Sequence, residues 1–509
     1  MWIDVIAALA PIFILLLMMV HFHWGASLAG PLGWITAAGL GFLRFGMTIE
    51  ILAWSQVSAF LLALDVLLIV WGAFLLYRVV SEAGAIDLLR DSLSNLSADP
   101  CMQGLLIAWA FASFLQGVGG FGVPVAVAAP VLIGLGFAPL TAVVAPSIGH
   151  AWAVTFGSLA SSFQALIAAS GVDGHLLAPV SALLLAAAGY GCGVAVVVVI
   201  DGWKGARRMA VPILVMGTVM GAAQYAVVTR GFWNLGGLSA GLAGLLAGLF
   251  LTRYFQGGHG RKMAPAGSAG AAYLPYLILI ILTVSVQFMP GLRSFLGGFR
   301  IQVGFPALET TRGFITPPGE SKEIVLFRHA GAILFFTSML SYAYYKFTGR
   351  LSQDALGRIC ADTLKKVISP SIGIVAMVSM AVIMANTGMT QILAQRLASI
   401  AGVIFPAVSV WIGALGAFIT GSNTNSNVLF ALLQRRTAEI LQLPLPLILA
   451  AQTSGAALGS IVSPTKIIVG ASTTKMSGQE GLILKALLRS MLVLLSGLSF
   501  IVLAAAYLQ

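Results

Sequence analysis

Two stretches of this chain, about 300 residues apart, concentrate groups able to hold a small polar solute inside otherwise apolar sequence. The first reads Phe114-Leu-Gln-Gly117-Val-Gly-Gly-Phe-Gly-Val-Pro124, the second Phe418-Ile-Thr-Gly421-Ser-Asn-Thr-Asn-Ser-Asn427. In the first, Gln116 precedes Gly117, Gly119, Gly120 and Gly122, whose backbone N–H groups are open to close approach. A half-helix starting near Val123-Pro124 would aim its positive end at the break, and an anion can bind there without a full countercharge. In the second, Ser422, Asn423, Thr424, Asn425, Ser426 and Asn427 are consecutive hydrogen-bonding side chains, costly in hydrocarbon unless partnered. Such amides and hydroxyls suit a carboxylate, a hydroxyl or Na⁺, and also cap the half-helix that follows. The plainer readings are close helix packing through small residues for the glycines, and a membrane-surface loop for the polar run. The glycines fit GxGxxG, but with no βαβ unit and no acid before Asp173 a dinucleotide site is excluded.

Three ionisable residues also fall within apolar runs. Lys466, in Ser463-Pro-Thr-Lys466, is expected to be buried against an anion or carboxylate, or else to snorkel to an interface. His150, three residues after Ser147, is a candidate for substrate binding or proton transfer, or a packing histidine. Asp65, in the middle of a spanning run, is a candidate for a proton pathway, with a structural ion pair the plainer reading. His21 and His23 point to different helix faces and read as interfacial anchors. No HExxH, Walker A, G-x-S-x-G or EF-hand pattern occurs, so neither an enzyme nor an ATP-driven pump has positive support, and no cofactor or metal is implied.

The elements that must position these groups follow from composition. The chain has 509 residues, 59% hydrophobic and 8% charged, against roughly 25% charged in soluble domains. It is a polytopic membrane protein solvated by the lipid bilayer. Its apolar runs are continuous rather than alternating, which excludes a β-barrel. The net charge of +11 reflects loop Lys and Arg and the positive-inside bias, not nucleic-acid binding. Cys101, Cys192 and Cys360 are scattered, with no CxxC. Residues 2–20 read as a first transmembrane helix rather than a cleaved signal. Further runs lie near 27–43, 57–78, 101–115, 176–200, 211–228, 234–252, 272–289, 329–345, 367–386, 401–418 and 481–507. The basic loops 201–210, 253–271 and 346–366 face the cytoplasm, whereas 229–233 and 387–400 carry Arg230 and Arg396 alone. Segment 290–328 then lies outside or folds partly into the membrane.

The intervals 117–171 and 421–478 are interrupted by Gly, Pro, Ser and Asn and predict broken helices and re-entrant hairpins. Gly117 aligns with Gly421, Pro139-Leu140 with Pro446-Leu447, Ser147 with Ser454, and Gly171 with Gly478, at a nearly constant offset. The expected fold is therefore all-α, a single transporter domain with about 12–14 spans. Two inverted repeats are expected, with cores near 101–171 and 401–478. Discontinuous helices in matched places mark secondary transporters, with the solute site at the repeat interface.

At these breaks the chain resembles the lactate permease family. Phe114-Leu-Gln-Gly-Val-Gly-Gly-Phe-Gly-Val-Pro-Val-Ala126 is similar to the family's F-L-E-G-x-x-G-F-G-x-P-x-A, and Gly421-Ser-Asn-Thr-Asn-Ser-Asn-Val-Leu-Phe-Ala431 to its G-S-D-T-x-S-N-x-L-F-A. Leu132–Phe137, Pro139-Leu140, Phe156-Gly157, Asp201-Gly-Trp203 and Ser463-Pro464 continue the likeness, which runs from about residue 70 to the C-terminus. The resemblance implies uptake of L-lactate, D-lactate or glycolate across a bacterial inner membrane, usually coupled to protons. Two family acids are replaced, by Gln116 and by Asn423, while His150 and Lys466 stand where typical members carry uncharged residues. The site becomes more electropositive, which favours a more highly charged anion, a dicarboxylate or sulfonated carboxylate, as the alternative substrate. Na⁺ coupling and a passive anion channel are the alternatives to H⁺ symport, and a homodimer is a possible assembly.

Overall fold

The interruptions legible in the sequence are real changes of backbone direction, and the fold is organised around them. The computed structural model describes residues 2–508 except 23, 86–87, 89–96, 98, 120–121, 256–265, 321–322, 475 and 477–478. His23, Gly120 and Gly478 therefore lie outside the described residues. Three helices open the chain: α1 (Trp2–Val20), α2 (Ala26–Arg44) and α3 (Ile49–Glu82). α3 starts where the Thr48 side chain accepts from the Ile51 N–H at 3.2 Å.

The first hairpin follows. Its entering arm α4 (Pro100–Val118) contains a π-helical stretch, Leu105–Phe111, and is capped by Asp99, which accepts from the Cys101 N–H at 2.8 Å. Its returning arm is α5 (Val123–Gly134). At 12 residues, α5 is about 18 Å long, too short for a hydrocarbon layer of about 30 Å. A broken helix comes next, as α6 (Pro139–Gly149), an irregular stretch, and α7 (Ser161–Ser170). Long helices α8 (Gly174–Arg208), α9 (Ala210–Val228), α10 (Gly236–Phe255) and α11 (Ala266–Phe288) lead to the extramembrane segment.

That segment is a nested antiparallel hairpin. β1 (Arg300–Ile301) pairs with β6 (Ile324–Val325), β2 (Gly304–Phe305) with β5 (Gly319–Glu320), and β3 (Leu308–Glu309) with β4 (Ile315–Thr316). Its tip docks on the α2–α3 corner, where the Thr311 N–H donates to the Gly46 carbonyl at 2.9 Å.

α12 (Ala330–Phe347) and α13 (Ala355–Asn386) follow, then α14 (Met389–Ala401). The sequence pattern marks 387–400 as a loop, because its apolar positions are diluted by Thr390, Gln391, Gln395 and Arg396. Its apolar residues fall on one face and bury Met389, Leu393, Ala394 and Ala398. The second hairpin is α15 (Phe405–Thr420) and α16 (Asn423–Ile440). The second broken helix is α17 (Leu445–Gly459), a short 3₁₀ turn, and α18 (Pro464–Thr473), and α19 (Glu480–Tyr507) closes the chain.

Among the described residues, 12 helices are long and apolar enough to cross a membrane. Arg78, Arg207, Arg208, Lys346 and Arg358 lie at helix ends that alternate correctly for one basic side, the cytoplasmic one. An ion-pair cluster ties α3 to α13 on that side, with Arg78–Asp362 at 2.6 Å and Arg358–Glu82 at 2.8 Å. The first hairpin then opens toward the cytoplasm and the second toward the opposite side, where the β-hairpin also lies. α1, α2, α3, α12 and α13 pack together as one layer. Within each hairpin unit, the entering arm crosses its own broken helix through glycine. A Cβ on Gly149 would collide with the Ala108 carbonyl, and one on Gly455 with the Val410 carbonyl. α7 packs on α16 and α18 on α5, so each broken helix sends its second half against the other unit's returning arm.

Candidate functional site

Four helix N-termini lie at the turns and breaks: α5 and α16 at the hairpin tips, α7 and α18 after the breaks, with the starts of α7 and α16 hydrogen-bonded to each other and the start of α5 beside α18. Each presents backbone N–H groups and a partial positive charge. The second hairpin turns on only two residues. Gly421 is left-handed (φ +71) and Ser422 is extended, with the Ser422 hydroxyl accepting from the Asn425 N–H at 3.3 Å. Asn423 to Asn427 are therefore the first turn and a half of α16, a helix and not a loop, and all five are buried. The polar run reads as breaking the helix because Asn and Ser are poor helix formers; here they cap and start one.

Their side chains knit the two breaks together. The Asn423 amide donates to Thr155 Oγ1 at 3.1 Å, and Thr155 Oγ1 lies 3.2 Å from both Oγ1 and the carbonyl of Thr453. Thr453 Oγ1 donates to Asn423 Oδ1 at 3.4 Å. Asn427 Nδ2 donates to the Ser162 carbonyl and to Thr453 Oγ1, both at 2.9 Å. Thr424 and Ser162 share a hydroxyl contact of 3.1 Å. Behind this layer, Ser426 Oγ donates to the Gly413 carbonyl at 2.8 Å. Gln452 donates to Ser426, and Gln434 binds Gln452.

Several buried polar atoms at this junction have no partner: Asn427 Oδ1, Ser454 Oγ, Gln116 Oε1 and His150 Nε2. The Asn427 orientation is fixed by chemistry, since its nitrogen must face the Ser162 carbonyl, which leaves Oδ1 free. His150 Nδ1 lies 2.6 Å from the Pro146 carbonyl and so must donate. Nε2 is then a bare acceptor in the neutral ring and a donor in the charged one. Lys466 is buried at the start of α18 and donates to Ser460 Oγ at 2.8 Å. Lys466 and His150 are within electrostatic reach of one another. No carboxylate pairs with Lys466 among the described residues.

The backbone between α6 and α7 is strained. Ser158, Leu159 and Ala160 take φ of 44, 56 and 64° in succession, a left-handed turn costing roughly 1–2 kcal/mol per residue. A Cβ on the preceding Gly157 would meet the Gln116 amide at 2.8 Å.

The first hairpin is built differently. A Cβ on Gly117 would strike the Leu238 backbone N–H and sit 2.7 Å from the Gly237 carbonyl carbon, so Gly117 lets α4 touch α10 backbone to backbone. Gly119 faces the Tyr77 ring, and Gly122 (φ +91) caps α5 beside Val469 of α18. Ser147 is spent within its own helix, donating to the Val143 carbonyl at 2.7 Å. Asp65 sits 3.1 Å from His329 Nε2, which ties α3 to the start of α12.

Sequence reasoning missed Thr155, Ser162, Thr453, Gln434, Gln452 and His329. Thr453 adjoins Ser454, and Gln434 and Gln452 are uncharged polar groups in apolar runs, a usable signal. Thr155 gives none, because its role depends on a crossing in space. A cavity of about 200 Å³ borders α7 and α16 on the side of α3 and α13, lined by Leu62, Val66, Ala165, Val428 and Asn386 among others.

Similarity to known proteins agrees with this architecture. The chain is 26% identical to the glycolate permease GlcA of Escherichia coli over 99% of its length and 96% of that protein. It is 27% identical to the L-lactate permease of Bacillus subtilis over 97% of its length and 94% of that protein. The fold is similar to that of MtrF of Neisseria gonorrhoeae, described as illuminating a class of antimetabolite efflux pumps. The TM-score is 0.50 and the identity 13%, covering 87% of this chain and 81% of that one. The likeness to permeases extends through the first three helices, further than the motifs reach. The spans and this kinship make it a multi-pass protein of the bacterial inner membrane. Residues 4–509 match the L-lactate permease family, and the chain belongs to that family.

Proposed function

We propose that this chain imports small 2-hydroxy monocarboxylates of the lactate and glycolate type by ion-coupled symport, at the junction of the two breaks. The observations that carry this reading are the unpartnered buried polar atoms at the breaks and a buried ammonium that bonds only a neutral hydroxyl. A 2-hydroxy acid supplies a carboxylate for Lys466 and the helix N-termini, and a hydroxyl that donates to Asn427 Oδ1 or Gln116 Oε1. Leaving such acceptors unpaired costs about 1–3 kcal/mol each, which substrate would relieve. Names of the relatives favour the same substrate class.

We read the two hairpin-plus-broken-helix units as inverted repeats, which the opposite openings of the hairpins and the reciprocal packing of α7 on α16 and α18 on α5 support. Alternating access then exposes the junction to each side in turn. The loosely filled space beside α7 and α16 suits movement of these arms past α3 and α13. Uptake of labelled L-lactate and glycolate into proteoliposomes tests the assignment, with saturable uptake expected and none overturning it. A second reading, a dicarboxylate or sulfonated substrate, is favoured by one observation: no Asp or Glu occurs between Asp99 and Asp173, or between Glu439 and Glu480. Competition by succinate and sulfoacetate in the same assay separates the two.

A further inference from the structure

We propose that Lys466 carries the coupling proton, binding the substrate carboxylate as an ammonium and returning through the empty site as a neutral amine. This rests on the reading of the molecule as a carboxylate importer. Gln116, beside the glycine run, and Asn423, at the second hairpin tip, are amides, and neither can exchange a proton. The segment from Pro100 to Val172 contains His150 as its one His, Lys, Arg, Asp or Glu, and the stretch from Ile440 to Thr474 contains Lys466 alone. Both lie at the breaks, and they are within electrostatic reach of one another.

Burial gives Lys466 a reason to move its proton with substrate. Its ammonium has a neutral hydroxyl, Ser460 Oγ, as its partner and no carboxylate among the described residues. A buried ammonium facing no anion is poorly solvated, and a carboxylate in the site restores a paired, neutral core. Proton and anion therefore strengthen one another's binding, and by linkage each does so equally. The groups around Lys466 leave this pairing intact. α5, packed on α18, has no titratable residue, and neither does the turn Ser460–Val462. α19, also packed on α18, carries Glu480, Lys485 and Arg489 in its first turns, with Lys485 and Arg489 exposed, and Tyr507 at its far end. Tyr77, across from Gly119, is the nearest phenol of α3.

The cycle balances. From the outside, an O–H bond of hydronium breaks, its proton forms an N–H bond with the Nζ lone pair and water is left, and the carboxylate enters. The neutral ion pair crosses. Inside, the carboxylate leaves, that N–H bond breaks, the proton passes to water and the electron pair stays on Nζ. One proton accompanies one monocarboxylate, and the empty core returns uncharged.

The experiment uses the full chain in proteoliposomes with labelled L-lactate and an entrapped pH dye. For the wild type, an inside-alkaline gradient should raise accumulation, with proton entry matching lactate entry. Lys466→Arg keeps the charge but cannot release it. Its lactate exchange should fall by about tenfold yet persist, while gradient-driven accumulation and proton entry disappear. Lys466→Gln should lose both, and His150→Gln should retain proton entry with each lactate. Proton entry with lactate in Lys466→Arg overturns the proposal. So do net wild-type lactate accumulation without proton entry, loss of proton entry in His150→Gln, and loss of exchange in a Lys466→Arg protein that melts like the wild type. Absence of lactate or glycolate exchange in the wild type instead overturns the substrate assignment.

Discussion

The two hairpins occupy matching places in the chain and solve the same problem with opposite chemistry. The first, α4 and α5, turns on glycine and spends it on backbone contact. Gly117 meets Gly237 and Leu238 of α10, and Gly241 of α10 is pressed in turn against Phe114. The second, α15 and α16, turns on Gly421 and Ser422 and commits its polar side chains to the junction, where Asn423 and Asn427 reach Thr155, Ser162 and Thr453. One hairpin is clamped by close packing; the other is held by hydrogen bonds that a substrate can exchange. Matching places in the chain thus do not mean matching chemistry, and on the proposed reading most of the polar side chains facing the solute come from the amide-bearing side.

That contrast breaks down unless substitutions in the two hairpins fail in different ways. The largest effect is expected at Gly117. Gly117→Val forces α4 off the α10 backbone, and overpacking of this kind costs about 3 kcal/mol or more. Folded yield and melting temperature should drop sharply, and uptake with them. Asn427→Leu should lower lactate uptake by about 100-fold, roughly 2.7 kcal/mol, with a much smaller loss of melting temperature than Gly117→Val. Equal destabilisation in the two variants would remove the distinction. Thr155→Val, which keeps the side-chain shape and deletes the shared hydroxyl, should reduce uptake by about tenfold, in line with about 1–2 kcal/mol for the hydrogen bonds lost. Asp65→Asn should change uptake least, within about threefold, because Asp65 serves the α3–α12 contact through His329. Abolished proton coupling in that variant would return Asp65 to the transport path.

The sequence carried the breaks well because Gly, Pro and runs of Ser and Asn act locally on the backbone. It carried ten of the 12 spans for the same reason, since hydropathy is a local property; the other two, Pro139–Ser170 and Leu445–Val462, lie in the intervals read as interrupted. What it hid depends on distant parts of the chain. The glycine run predicts close helix packing, but the partner of Gly117, α10, follows from how two distant helices cross and nothing near Gly117 names it. α14 was obscured by the polar residues Thr390, Gln391, Gln395 and Arg396 spread along it, of which Thr390 is buried with the apolar face. Thr155 and Thr453 matter because two broken helices meet, and a lone Thr in apolar sequence usually bonds its own helix, as Thr337 does with Ile333. Gly157-Ser158 marks the break in the first unit, but no glycine marks the left-handed backbone of Ser158, Leu159 and Ala160 themselves. It is held by its surroundings, including the contact of the Gly237 N–H with the Phe156 carbonyl at 3.2 Å.

The central claim is that a hydroxy-carboxylate binds where the amides of the second hairpin meet the two broken helices. Exchange of labelled L-lactate in proteoliposomes, with wild type and Asn427→Leu side by side, tests it most directly. The account predicts saturable exchange by the wild type and near-background exchange by an Asn427→Leu protein that still melts cooperatively. Undiminished exchange by Asn427→Leu would contradict it.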